Sequence, residues 1–193
     1  MKRPDRLDID PVHNEIFVPD VDRVLVFPRG AEGDTAPLRV LKGPATKIAR
    51  TSALAVDPVN NVLVVQSKVD GDRFDSLLIF DRTAQGDTAP RRIIRGAKTE
   101  IIRINQIQIY PPRQLIIATQ PGLSDKQSPE GAFIGIWSSN DDGDVAPRWT
   151  IRAGPDQLLK KPRGVTLDPE NKEIIVADMR LNAVLTYYFP EIF

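Results

Sequence analysis

The chain has 193 residues, 41% of them hydrophobic and 27% charged, and its 26 basic and 26 acidic side chains cancel. A zero balance gives no bulk attraction to nucleic acid or an anionic membrane, and no apolar run approaches the ~20 residues a membrane helix needs. The absence of cysteine excludes disulfides, thiolate zinc sites and thiol nucleophiles together, without choosing a compartment.

Seventeen prolines and twelve glycines punctuate a chain rich in Val, Ile and Leu, which points to short strands joined by many turns. The opening Met1-Lys2-Arg3-Pro4-Asp5-Arg6 is charged and no apolar segment follows it, so it does not read as a signal peptide. Leu7-Asp8-Ile9-Asp10-Pro11 then alternates as a strand stopped by proline. Glu15 to Val18 and Arg23 to Phe27 follow, then the turn Gly33-Asp34-Thr35-Ala36-Pro37 and a closing run from Leu38 to Lys42. These four runs, A to D, have the length of β-strands.

The same order returns three times. Leu54 to Pro58, Val62 to Val65, Leu77 to Phe80, Gly86-Asp87-Thr88-Ala89-Pro90 and Arg91 to Arg95 form the second unit. Ile107 to Pro111, Leu115 to Ala118, Phe133 to Trp137, Gly143-Asp144-Val145-Ala146-Pro147 and Arg148 to Arg152 form the third. Val165 to Pro169, Glu173 to Asp178 and Ala183 to Tyr187 begin a fourth, which has no turn and no D strand. Repeats of this period built from short strands predict an all-β propeller of four-stranded antiparallel blades, the last lacking its outer strand. Residues 1–193 read as one propeller domain, with units at about 3–49, 50–102, 103–161 and 162–193. Six residues before the first A strand are too few to supply the missing strand, which is expected upstream of Met1.

The Gly-Asp-x-Ala-Pro turn always follows the aromatic of strand C by six residues and precedes the proline of the next A strand by 21 or 22. It reads as a structural C–D corner, with Asp bonding backbone N–H groups and Gly supplying an unusual φ. Length variation falls almost wholly in the B–C hairpins, Ser67 to Asp75 and Gln120 to Gly131. In an up-and-down blade the B–C and D–A loops share one face, and insertions confined to one face mark it as the binding face.

The stretch Ile175-Val176-Ala177-Asp178-Met179-Arg180-Leu181-Asn182-Ala183-Val184 resembles the hairpin of NHL-repeat β-propellers. The Gly-Asp-x-Ala-Pro turn with the strand after it is similar to a bacterial NHL-like variant. Unit two departs from the pattern with Val64-Val65-Gln66-Ser67. Unit three does so with Ala118-Thr119-Gln120-Pro121, and with Tyr110 where an Asp is expected. The resemblance covers essentially the whole chain and implies a propeller of about six blades, of which this chain would be a fragment or a reduced form. It also favours an exported, periplasmic or extracellular location. Lactone- and phosphotriester-hydrolysing propellers hold Ca²⁺ in the channel with Glu, Asp and Asn. Here the corresponding A-strand residues are Asp8, Ala55, Gln108 and Thr166, too mixed for a ligand ring.

Arg3, Arg50, Arg103 and Lys161 stand eight residues before the four A-strand prolines, with Lys160 the alternative in the last unit. Repeat equivalence places them in a ring at the mouth of the channel, where converging cations could hold a carboxylate or phosphate. The plainer reading is that each solvates a loop or pairs with Asp5, Glu100 or Asp156. The insertion-face candidates are Asp70, Asp72, Arg73, Asp75, Asp125 and Lys126. Asp70-Gly71-Asp72-Arg73-Phe74-Asp75 faintly resembles a Ca²⁺ loop but lacks its remaining ligands. The single histidine, His13, lies on the opposite face, and one His without Cys excludes a usual zinc site or a histidine-based triad within the chain. The run Tyr187-Tyr188-Phe189 reads as packing between blades, or as apolar surface bared by the missing strand.

The expectation is a non-enzymatic binding or scaffold module without cofactor, holding a protein, peptide or glycan on the insertion face. One alternative is a Ca²⁺-dependent hydrolase of lactonase or esterase type. Another is an assembly-competent fragment that oligomerises through open blade edges.

Overall fold

The computed structural model describes residues 1–122, 131–154 and 157–193. Blade 1 holds β1 (Asp8–Asp10), β2 (Glu15–Pro19), β3 (Arg23–Pro28) and β4 (Arg39–Lys42). Blade 2 holds β5 (Leu54–Asp57), β6 (Val62–Ser67), β7 (Ser76–Asp81) and β8 (Arg92–Ile94). Blade 3 holds β9 (Gln106–Tyr110), β10 (Leu115–Pro121), β11 (Ala132–Ser138) and β12 (Trp149–Arg152). Blade 4 has three strands, β13 (Pro162–Asp168), β14 (Glu173–Asp178) and β15 (Ala183–Tyr188). Every sheet is an antiparallel meander in chain order, and together they form a four-bladed β-propeller with the A strands β1, β5, β9 and β13 side by side at the centre.

The turns follow from local chemistry. After the A strand, the carboxylates of Asp10, Asp57 and Asp168 accept the N–H groups two and three residues on, at 2.9–3.2 Å. This is the Asx geometry that Asp-Pro-x-x favours. Blade 3 has Tyr110 instead, and there a short 3-10 turn, Pro111–Arg113, reverses the chain. All four turns end on a residue with positive φ: Asn14, Asn61, Gln114 or Lys172.

Alternation along the strands gives each blade two apolar faces, and each junction between blades carries its own core. Phe17, Val24, Val26 and Leu41 of blade 1 meet Leu54, Val56, Leu63, Leu78 and Phe80 of blade 2. Ala55, Val64, Leu77 and Ile79 on the other face of blade 2 meet Ile107, Ile116, Phe133 and Trp137 of blade 3. Leu115, Ile117, Ile134 and Ile136 meet Val165, Ile174 and Val176 of blade 4.

The Gly-Asp-x-Ala-Pro turn does more than shape the C–D corner. Gly86 of blade 2 exchanges backbone hydrogen bonds with Val40 and Lys42 of blade 1, and Gly143 does the same with Ile93 and Arg95 of blade 2. The following Asp87 accepts the Ala45 N–H at 2.7 Å, and Asp144 the Lys98 N–H at 2.7 Å. These donors open the 3-10 turns Pro44–Thr46 and Ala97–Thr99, whose N-caps are Gly43 and Gly96. A glycine cap has no side chain to offer, so the next blade supplies the capping carboxylate in trans. The recurrent turn is therefore a joint between neighbouring blades.

Candidate functional site

The site is built where D–A loops pass over the top of the sheets. In each unit the residue three positions after the mid-strand partner of the A strand binds the incoming loop. Asp20 accepts the N–H groups of Lys2 and Arg3, at 2.8 and 2.5 Å. Asp178 does the same for Lys160 and Lys161, at 2.7 and 2.8 Å. Gln120 Oε1 accepts from Ile102 and Arg103 at 2.5 and 3.1 Å, and Ser67 Oγ accepts from Ala49 at 3.0 Å. Units two and three thus keep the clamp with different side chains. Their departures from the Ala-Asp pattern change the residue and preserve its job.

The clamps fix the backbone on which the repeat-equivalent cations sit. Arg3, Arg50 and Arg103 all line a cavity of about 830 Å³ over blades 1 to 3, together with Arg73 and Lys68. Lys161 does not line it. Its clamp on Asp178 leaves it buried beside β13, one blade further round, so the structure brings together three of the four positions that the spacing equates. Arg50 is paired with Asp70, and the Arg73 guanidinium lies 5.4 Å over the Phe74 ring. Arg3 and Arg103 are exposed and have no ion-pair partner among the described residues. Asp5, offered by the sequence as a mate for Arg3, pairs with Arg6 at 3.0 Å, and Glu100 pairs with Arg152 at 2.8 Å. Asp125 and Lys126 lie outside the described residues, as does Asp156.

The acidic hairpin is split among cations. Asp72 pairs with Arg95 at 2.8 Å, while Asp75 turns inward under the cavity. Asp70, Asp72 and Asp75 therefore face different partners, and among the described residues no group of three carboxylate or histidine side chains is placed to hold a metal. Burial pushes the Asp75 carboxyl above its usual range, against the opposing pull of the Ile104 N–H, the Lys68 ammonium and the Gln66 amide. Lys68 Nζ stands 3.3 Å from Asp75 Oδ1, and Gln66 Nε2 donates to Oδ2 at 3.0 Å. Gln66 Oε1 in turn accepts the Ser52 N–H at 2.9 Å. A polar floor thus underlies a cationic rim, with Ile102 and Ile104 on the wall. Neither Gln66 nor Lys68 is among the residues the sequence singles out for a site. A glutamine in the run Val64-Val65-Gln66-Ser67, where alternation expects an apolar side chain, was the available signal. On the opposite face, His13 Nδ1 lies 2.8 Å from Asp10 and is remote from the cavity.

No family model and no curated protein matches the chain. Solved structures do. The WD40 β-propeller domain of Doa1 superposes with a TM-score of 0.57 at 10% identity, covering 90% of this chain and 48% of that one. A putative 6-phosphogluconolactonase from Bacteroides uniformis superposes at 0.64 and 18% identity, covering 96% of this chain and 50% of that one. These likenesses establish the β-propeller fold. The chain spans about half the length of either structure, and identities this low carry fold without chemistry.

Proposed function

We propose that this chain is a non-enzymatic, NHL-repeat-like propeller module that holds an anionic ligand on its insertion face. The observation that carries the reading is the convergence of repeat-equivalent Arg3, Arg50 and Arg103 on one cavity, two of them without an acidic mate among the described residues. Guanidinium forks pre-set on clamped backbone suit carboxylate or phosphate and lose little freedom on binding. Among the described residues the hydrolase alternative draws on no comparable convergence, because the hairpin carboxylates Asp70, Asp72 and Asp75 are dispersed among separate cations.

Citrate, titrated calorimetrically at low ionic strength, is the test. Saturable binding at one site is expected, weakening with added salt as exposed charges are screened. Arg3→Ala with Arg103→Ala should reduce affinity at least tenfold while leaving the melting temperature unchanged. Arg29→Ala, exposed in the turn after β3 and away from the cavity, should bind like the parent. Equal binding by the double variant, or no binding by the parent, overturns the reading.

A further inference from the structure

The insertion hairpin of blade 2 stands between two cavities. Lys68, Arg73 and Asp75 line the cationic cavity already described, while Val69 and Ser76 line a second, of about 740 Å³, that extends to β8. Asp72 lines both. The D–A loop is divided the same way where the Lys68 N–H donates to the Ala49 C=O at 2.7 Å, with Arg50 on the first cavity and Ala49 on the second. The wall of the second cavity is aliphatic: Pro44, Ile48, Val69, Leu78 and Ile93. Val69 is 46% exposed, an apolar side chain held in solvent at the divide. The rim is basic. Arg91 and Arg95 are paired with Asp81 and Asp72, at 2.6 and 2.8 Å. Exposed Lys47 and half-buried Arg92 have no ion-pair partner among the described residues. Five basic and three acidic side chains line the first cavity, and four and two the second. A chain whose charges cancel thus gathers a positive excess around one hairpin.

Building on the anion-binding reading of the first cavity, on which it rests, we propose that the two cavities form one docking surface for an extended acidic peptide. Acidic side chains enter both cavities, and aliphatic ones lie between them against Val69, Ile48 and Ile93. Charge selects an anionic partner. Arg3 and Arg103 on one side of the hairpin, and Lys47 and Arg92 on the other, have no acidic mate among the described residues, and a complementary partner is steered to them. The walls select a peptide. Among the described residues no aromatic side chain lines either cavity, so nucleic-acid bases find no stacking platform. Aliphatic walls instead match leucine, isoleucine or valine. An extended chain sends successive side chains to opposite sides, so acids and aliphatic residues at every second position all face the protein.

The probe is the end-capped, fluorescently labelled peptide Glu-Ser-Glu-Ser-Leu-Ser-Leu-Ser-Glu-Ser-Glu, read by anisotropy at low ionic strength. It should bind saturably and be displaced by citrate. The same peptide with serine for both leucines, equal in charge, should bind at least tenfold more weakly, and an oligothymidylate of that charge no better. Lys47→Glu with Arg92→Gln should weaken the peptide at least tenfold while citrate, measured calorimetrically, binds as it does to the parent, which also shows that the variant is folded. Lys47→Glu alone, at an exposed side chain, should give part of that loss. Arg3→Ala with Arg103→Ala should weaken both ligands. Equal binding of the serine peptide or of the oligothymidylate overturns the proposal, as does peptide binding indifferent to either pair of substitutions. Citrate binding without peptide binding overturns it and leaves the anion site standing. Binding of neither removes the anion site and the proposal together.

Discussion

Glu15 shows how one side chain can tie a blade to the next. It is buried at the start of β2, receives both terminal nitrogens of Arg39 at 2.6 and 2.8 Å, and receives Arg82 from blade 2 at 2.6 Å. Arg82 is itself buried and also lies 3.4 Å from Asp10, which bonds His13. The Arg39 hydrogen bonds, helped by the charges of Arg39 and Arg82, hold the Glu15 carboxyl below its ordinary value of 4.5 despite desolvation. Glu15→Ala leaves the Arg82 guanidinium buried with only Asp10 near it, and is expected to cost about 3 kcal/mol at pH 7 by urea denaturation. The pH dependence has a definite sign. A carboxylate whose folded pKa is depressed contributes stability that is complete above its unfolded value and disappears as pH falls through the folded one. The gap between parent and variant should therefore be full at pH 7 and narrow as the midpoints are measured downward from pH 4.5. A gap that is constant with pH would mean the loss is packing alone.

At the scale of the element, the Gly-Asp turn makes an unusually clean comparison because three copies meet different neighbours. Asp87 and Asp144 each cap a 3-10 turn of the preceding blade, whereas Asp34 is exposed and caps no turn among the described residues. Asp87→Ala and Asp144→Ala are each expected to cost about 1 kcal/mol, the usual worth of a cap. Asp34→Ala should stay within about 0.5 kcal/mol of the parent. The receiving glycine is fixed on two grounds. Gly43 has φ of 142°, and a Cβ built there would lie 2.3 Å from the Asp87 side chain. Gly43→Ala should thus cost at least about 2 kcal/mol, and adding Asp87→Ala should relieve only part of the collision, because the Cβ at position 87 would still lie 2.6 Å away, and none of the backbone strain. Much of this element was legible in the sequence, since motif, spacing and corner position could be counted. What spacing could not convey is that the corner's partner belongs to another repeat. The carboxylate of Asp87 and the N–H of Ala45 are 42 residues apart, and only radial packing brings them together. The cationic site was legible for the same reason in reverse, because Arg3, Arg50 and Arg103 are equivalent by simple counting. Its floor was not, because Gln66, Lys68 and Asp75 meet through a hairpin of irregular length that has no counterpart in blade 1.

For the molecule as a whole, stability is distributed by junction. The between-blade cores flank blades 2 and 3 on both faces of their sheets and blades 1 and 4 on one. Repeat-equivalent positions measure the difference directly. Leu7 is 54% exposed where Leu54, Ile107 and Val165 are about 3% or less, so the face of blade 1 that points away from blade 2 lacks the cover its equivalents have. Nearest-neighbour stacking of this kind makes local opening depend on how many junctions a blade has. Backbone amides of β7, β10 and β11 are expected to exchange only through global unfolding, and those of β15 through a lower-energy opening of blade 4 by itself. The same asymmetry should appear in core truncations. Leu77→Ala should cost roughly 2–5 kcal/mol, whereas Val184→Ala, at the equivalent place on β15, should shift the urea midpoint hardly at all. Uniform exchange across the four blades would mean that the propeller unfolds as one unit. The two terminal faces would then contribute as much cohesion as the internal ones, contrary to what their exposure implies.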